Sequence, residues 1–271
     1  FARVALRYDA DNVAITIAAD ANDAEGGLRP YTTLIDELPE SSALRAAGYT
    51  NADVSSDPYD NNTGQANQTR VTNSASGVAV TLDWEISDTT RSKIIASART
   101  SKYKAGLDDD SLIDDFLSFP ETGQADQQSL EFQVNGERGD WDFVSGIYYF
   151  EEEGDNFQSP VTFNAGTGGI FILEQNVKSM AIFTNVGYAV SDDLRLSGGL
   201  RYTEDEKDVL ANVGIGFFDA SQDFDEVSWE LAANYTLDGG MNVYGAIQNG
   251  YQSGQFPARP YCLFGGTAVG C

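Results

Sequence analysis

Alternation of apolar and polar residues with a period of two recurs along most of this 271-residue chain, and it limits the possible folds more than any other feature. In one stretch Leu194, Leu196, Gly198, Leu200 and Tyr202 take one side, while Arg195, Ser197, Gly199, Arg201 and Thr203 take the other. Successive side chains of a strand point to opposite faces, so this is a strand with one apolar and one polar face. About ten such segments are legible. Val4, Leu6 and Tyr8 alternate with Arg3, Ala5 and Arg7, and Val13, Ile15 and Ile17 follow at once. Val78 to Ile86, Leu130 to Val134, Met180 to Tyr188, Val227 to Tyr235 and Met241 to about Tyr251 continue the series, while Ser92 to Tyr103 is strand-like without a defined apolar face and Trp141 to Phe150 is aromatic on both faces.

The connections follow an order of their own. Tight turns rich in Asp, Asn and Gly are expected at 9–12, 87–90, 136–140, 190–193 and 237–240, as short hairpin loops require. Between them lie longer connectors, read at about 21–74, 105–128, 154–176 and 204–223. Short and long connections alternate strictly, which places every tight turn at one end of the sheet and every long loop at the other. Within the connectors, Pro39 to Gly48 reads as a short helix stopped by glycine, and Ser111 to Phe119 as a further helical turn before Pro120.

Composition excludes several classes. A net charge of -26 opposes nucleic-acid binding, which needs clustered Lys and Arg. No apolar run approaches the roughly 18 residues of a helical membrane span. The absence of histidine removes His-based triads and His-ligated zinc or haem from this sequence. Neither a phosphate-binding loop nor a dinucleotide fingerprint is present, and no enzymatic constellation is expected. The acidic runs Asp108-Asp109-Asp110 and Glu151-Glu152-Glu153 read as solvated faces; surface Ca²⁺ binding by the first is the minor alternative, since it lacks EF-hand spacing. Cys262 and Cys271 form a disulfide candidate, with two free thiols as the alternative.

A soluble β-sandwich and a membrane β-barrel both accommodate alternation. The segregated loop lengths favour the barrel, whose short turns lie at one rim. So do the aromatic residues near strand ends, Tyr8, Trp84, Trp141, Tyr149, Tyr188, Tyr202 and Tyr235. Several runs also reach the roughly nine to eleven residues of a tilted membrane strand. The expected fold is all-β, a transmembrane antiparallel up-and-down barrel with short turns on one rim and long loops on the other.

Three stretches resemble barrels of TonB-dependent outer-membrane receptors: WDFVSGIYYFEEE (141–153), GLRYTEDEK (199–207) and YGAIQNGYQSGQF (244–256). They occur in the family's order. The resemblance implies that the chain, residues 1–271, is a partial barrel domain, about ten strands of a barrel of about 22, without the family's plug domain, TonB-contacting box and terminal strands. It implies a receptor of the Gram-negative outer membrane, not an enzyme, that captures a scarce nutrient outside the cell and imports it with TonB-coupled energy. The nutrient would be siderophore-, cobalamin- or carbohydrate-like, and the acidic loops argue for a neutral or cationic one. The implied partners are the TonB energy-coupling complex, outer-membrane lipid and lipopolysaccharide, and the small ligand; no cofactor is implied. A passive porin-like channel and a soluble β-rich binding module are the alternatives. Candidate interior residues are Glu131, Gln133, Arg195, Arg201 and Glu230, with pairing to other carboxylates the stronger reading for the arginines. Candidate ligand contacts in extracellular loops are the aromatics Phe157, Phe163, Phe171, Tyr261 and Phe264.

Overall fold

The computed structural model describes residues 1–27, 37–54, 57, 70–108, 117–159, 162–163, 169–213 and 217–256. Its strands are β1 (Ala2–Ala10), β2 (Val13–Gly27), β3 (Arg70–Ser87), β4 (Thr90–Asp108), β5 (Leu117–Arg138), β6 (Trp141–Gln158), β7 (Thr162–Phe163), β8 (Phe171–Ala189), β9 (Leu194–Val213), β10 (Phe217–Leu237) and β11 (Met241–Gln248). Apart from β7, which pairs with the start of β5, each strand is antiparallel to its neighbour in sequence. The result is an up-and-down sheet with β1 and β11 at its two ends, not hydrogen-bonded to each other.

The tight turns fall where the sequence places them. Gly139 (φ 62°), Gly239 (φ 91°) and Gly240 (φ 81°) occupy left-handed conformations that favour glycine. The helix expected over Pro39 to Gly48 is shorter, α1 (Ala43–Ala46). The Ser42 hydroxyl accepts from the Arg45 N–H at 3.1 Å, and Gly48 (φ 100°) follows the helix. The second expected helix fails in part. Residues 117–119 open β5, and 111–116 lie outside the described residues.

Residues paired across a ladder share a face, so register assigns every side chain. One row runs Tyr8, Ile15, Leu82, Ile94, Phe132, Ile147, Ile182, Tyr202, Val227. The adjacent row is Leu6, Ile17, Val80, Ala96, Leu130, Tyr149, Met180. These apolar side chains lie open on the sheet surface: Ile147 is 56% exposed, Ile182 60%, Leu200 56% and Leu231 58%. Among the described residues the buried hydrophobic ones are Leu38, Phe119, Ala181, Val209 and Ala211. Five such residues cannot hold a domain of this size in water, so the apolar face requires lipid as its solvent.

The aromatic side chains on this face bound the apolar band. Tyr8, Trp84, Trp141, Tyr188 and Tyr235 stand toward the turns, where Trp141 and Tyr188 pack with ring centres 4.4 Å apart. At the opposite boundary the Tyr149 hydroxyl donates to Glu151 at 3.0 Å and the Tyr202 hydroxyl to Glu204 at 2.7 Å. Each ring lies against the band and directs its hydroxyl out of it, as an interfacial tyrosine does.

Three of the four long connectors are much shorter than the sequence suggests, while the first still separates Gly27 from Arg70. β9 and β10 stay paired to Asn212 and Phe217, and β4 and β5 to Asp108 and Ser118. Strands of about 20 residues extend about 65 Å, far more than a tilted crossing of a band about 25 Å tall needs. Beyond Tyr202 the apolar-face positions become Glu204, Glu206 and Asp208. With water on that side, hydropathic alternation ends while the backbone ladder continues, which is why the sequence reads these segments as loops.

Leu231 sits midway along the apolar stripe of β10, and Ala232 occupies the opposite face. Leu231→Arg is expected to destabilise the full-length protein by roughly 2–4 kcal/mol, the usual cost of a cation at mid-bilayer depth. Ala232→Arg is expected to cost under about 1 kcal/mol. Urea titrations of the protein refolded into phospholipid vesicles compare the two, and equal costs would refute the assignment of faces.

Candidate binding face

The polar face carries most of the chain's strand-borne cations, and most are already paired. Lys93 on β4 meets Asp83 on β3 at 3.3 Å, and Arg91 meets Glu85 at 3.7 Å. Two other pairs reach across an intervening strand. Arg99 on β4 contacts Asp20 on β2 at 3.2 Å, and Arg195 on β9 bonds Asp142 on β6. In both cases the strand between presents glycine, Gly77 on β3 and Gly187 on β8. A Cβ at Gly77 would meet the Arg99 guanidinium at 3.3 Å, and one at Gly187 would collide with Arg195 and with Asp142 at 2.7 Å. Missing side chains thus open the channels in which the guanidinium groups lie.

Arg201 is different. Its Nε–H donates to the Thr203 hydroxyl at 3.1 Å, and its guanidinium stands 5.6 Å from the centre of Tyr148 and 5.7 Å from that of Phe183. No carboxylate lies within ion-pair distance of it among the described residues. The two rings offer their electron-rich faces instead. Phe183 leans over Gly146, where a Cβ would come within 2.6 Å of its ring. Gln133, Gly146, Phe183, Arg201 and Ser228 form one row of paired positions, next to the row of Glu131, Tyr148, Ala181 and Thr203. Gln133 donates to Glu131 at 2.5 Å. The structure therefore brings Glu131, Gln133 and Arg201 to one area. Glu230 sits on the same face beside Gly199, and Arg195 lies closer to the turns with Asp142.

Three of the five aromatic candidates lie in strands rather than in the loops that the sequence suggests. Phe157 lies within β6 on the same face as the apolar band, Phe163 in β7, and Phe171 opens β8. The polar ends of the strands give no alternation signal, so their sequence reads as loop. Tyr261, Phe264, Cys262 and Cys271 lie outside the described residues, as do Asp109 and Asp110.

Sequence reasoning missed Asp20, Asp142 and Arg99 as bracing partners, because each pair joins strands that are not adjacent. The available signal was an isolated glycine at a polar-face position, which acquires meaning only with the register. It also missed a polar cluster at the loop end of the same face. There Tyr103 contacts Asn156, and Gln158 donates to Glu121 at 3.0 Å. Burial raises the Tyr103 phenol above its ordinary range, with the Asn156 contact opposing.

A long-stranded meander with a lipid-facing band, a braced polar face and tight turns along one rim defines a segment of a membrane β-barrel. The chain belongs to the family described as TonB dependent receptor-like, beta-barrel, whose model matches residues 7–267. That is a family of receptors rather than enzymes. A search of curated proteins finds no match. Among solved structures, the chain is similar to the ferric yersiniabactin uptake receptor FyuA from Yersinia pestis, with 14% identity and a TM-score of 0.69, over 90% of this chain and 36% of that one. It is similar to the ferric citrate transporter FecA in its unliganded form, with 13% identity and a TM-score of 0.61, over 91% of this chain and 35% of that one. It is also similar to the ferric-catecholate import receptor Fiu from E. coli K12 in an open form, with 13% identity and a TM-score of 0.55, over 87% and 44%. At these identities the likeness is one of fold, and the chain spans less than half the length of each receptor.

The Arg195–Asp142 pair is partly exposed, so a double-mutant cycle of Arg195→Ala with Asp142→Ala is expected to give a coupling of about 0.2–1 kcal/mol. In a Gly187→Val background the coupling is expected to vanish, because the new side chain fills the channel. A coupling that survives Gly187→Val would show that the glycine plays no part in the brace.

Proposed function

We propose that this chain is part of the barrel of an outer-membrane receptor that takes up a small nutrient from outside a Gram-negative cell with energy from the TonB complex. The observation that carries this reading is the division of the sheet into a lipid-compatible face and a braced polar face, in a chain that belongs to the TonB-dependent receptor barrel family. On this reading the polar face lines the barrel interior, the tight turns face the periplasm, and the strand extensions beyond Tyr149 and Tyr202 stand outside the membrane among lipopolysaccharide head groups. A plug, supplied by sequence other than these residues, would fill the interior and contact TonB.

The interior would be held open by bracing. Arg99–Asp20 and Arg195–Asp142 tie alternate strands together, so their charges are committed to structure. Arg201 retains unused donors above two aromatic rings, and Gln133 and Glu131 lie nearby. Arg201 is therefore the strand residue best placed to meet a carboxylate of the plug or a polar group of the ligand. The nutrient is siderophore-, cobalamin- or carbohydrate-like; the chain's net charge of -26 favours a neutral or cationic one.

Uptake decides between active and passive passage. Cells dependent on the full-length protein are expected to lose uptake of one nutrient, from a panel of labelled ferric chelates, cobalamin and oligosaccharides, when the TonB complex is inactivated. Uptake that continues at the same rate without it would identify a passive channel.

A further inference from the structure

β11 stops at Gln248 while β10, its partner, runs 21 residues from Phe217 to Leu237, and the chain turns onto the polar face of β9 and β10 at Asn249. Asn249 makes this departure possible. Its backbone N–H donates to the Trp229 carbonyl at 3.1 Å. Its side-chain oxygen accepts from the backbone N–H of Trp229 at 2.6 Å, and its side-chain nitrogen donates to the Val227 carbonyl at 3.1 Å. The carboxamide occupies the place of the next peptide group, so the edge of β10 remains satisfied where the strand partner ends.

The following seven residues are then fastened to the polar face. The Tyr251 hydroxyl donates to Asp205 at 2.9 Å, and the Lys207 ammonium donates to the Gly254 carbonyl at 2.7 Å. Burial, together with the Asp205 contact, pushes the Tyr251 phenol up to about 12. Lys207 is only 7% exposed and stands 5.9 Å from the ring centre of Phe224. Gly254 rests on that ring, where a Cβ would come within 2.6 Å, and Phe256 meets Phe218 edge-on at 6.2 Å. Tyr251, Ser253, Gly254 and Phe256 are half-buried, whereas Gln252 and Gln255 are exposed.

We propose that Asn249–Phe256 is a strap that covers the Asp205 and Lys207 charges and presents Gln252 and Gln255 to the barrel interior as its ligand-facing surface, with Lys207 as the positioning residue. This rests on the barrel reading above. The consequence is chemical. A strip of fixed charges becomes two neutral carboxamides, each able to donate and accept, which suits ligand hydroxyl or amide groups. Past Asn249 no ladder bond holds the strap among the described residues, so side-chain contacts fix its position.

The test uses single cysteines in the full-length protein in intact cells, with Cys262 and Cys271 replaced by serine, and a membrane-impermeant maleimide. Gln252→Cys and Gln255→Cys are expected to label at least tenfold faster than Ser253→Cys. Adding Lys207→Met, or separately Gly254→Val, which leaves the lysine in place, is expected to raise the Ser253→Cys rate to that of Gln252→Cys; Lys207→Arg is expected to leave it slow. Ser253→Cys labelling as fast as Gln252→Cys in the otherwise native protein, or unchanged by both releasing variants, overturns the strap. Ser221→Cys, on the opposite face of β10, is the control: if it fails to label, the outer-membrane reading has failed instead. For the ligand-facing role, Gln252→Leu with Gln255→Leu, which removes both carboxamides whatever the charge of the ligand, is expected to lower uptake of the nutrient found in the panel at least tenfold, while Ser221→Leu, on the opposite face of β10, leaves it unchanged. Unchanged uptake in the double Leu variant overturns that role.

Discussion

A peptide group in hydrocarbon has no water to bond, and the rest of this structure depends on that constraint. Each N–H and C=O crossing the lipid must find a partner on a neighbouring strand. The continuous pairing from β1 to β11 meets the demand for every internal strand. Once the ladder is in place, side chains on one face need only be compatible with lipid. Rows such as Phe132, Ile147, Ile182 and Tyr202 pack loosely side by side and stay open. The fold is held by its backbone pairing and by its solvent more than by a core.

This arrangement leaves the opposite face free for polar chemistry. Ion pairs there lie along and across the sheet and brace it against shear. The two pairs that skip a strand, Arg99–Asp20 and Arg195–Asp142, depend on glycine in the strand between. Arg201, over Tyr148 and Phe183, has no ion-pair partner among the described residues. Farther out, Lys207 and Asp205 bond Gly254 and Tyr251, where the chain after β11 crosses the same face. A single strand, β9, thus carries a brace, an open cation and an anchor in order of increasing distance from the tight turns.

Much of the fold could be read from the residues. Where lipid faces one side, as from Leu194 to Tyr202, hydropathy alternates and strand, face and boundary are all visible. Tyr149 and Tyr202 read as boundary residues, and their hydroxyls point to the carboxylates just outside the band. Beyond the boundary both faces meet water, the pattern disappears, and the ends of strands such as β6 carry no strand signal. Phe157, in β6, reads as a loop residue for that reason. The bracing partners and the strap were illegible for a different reason, since they join residues such as Asp142 and Arg195, or Lys207 and Gly254, that are about 50 positions apart.

The sequence by itself determined the class of fold, the rim on which the tight turns lie and the faces of strands that alternate cleanly, such as Leu194 to Tyr202, because a strand's period of two couples every side chain to its neighbours. Only the tertiary structure decided which cations are committed to braces, how far the strands rise beyond the lipid, and where the chain after Gln248 goes. Those outcomes depend on register and on space left by glycines two strands away, and no local pattern encodes either.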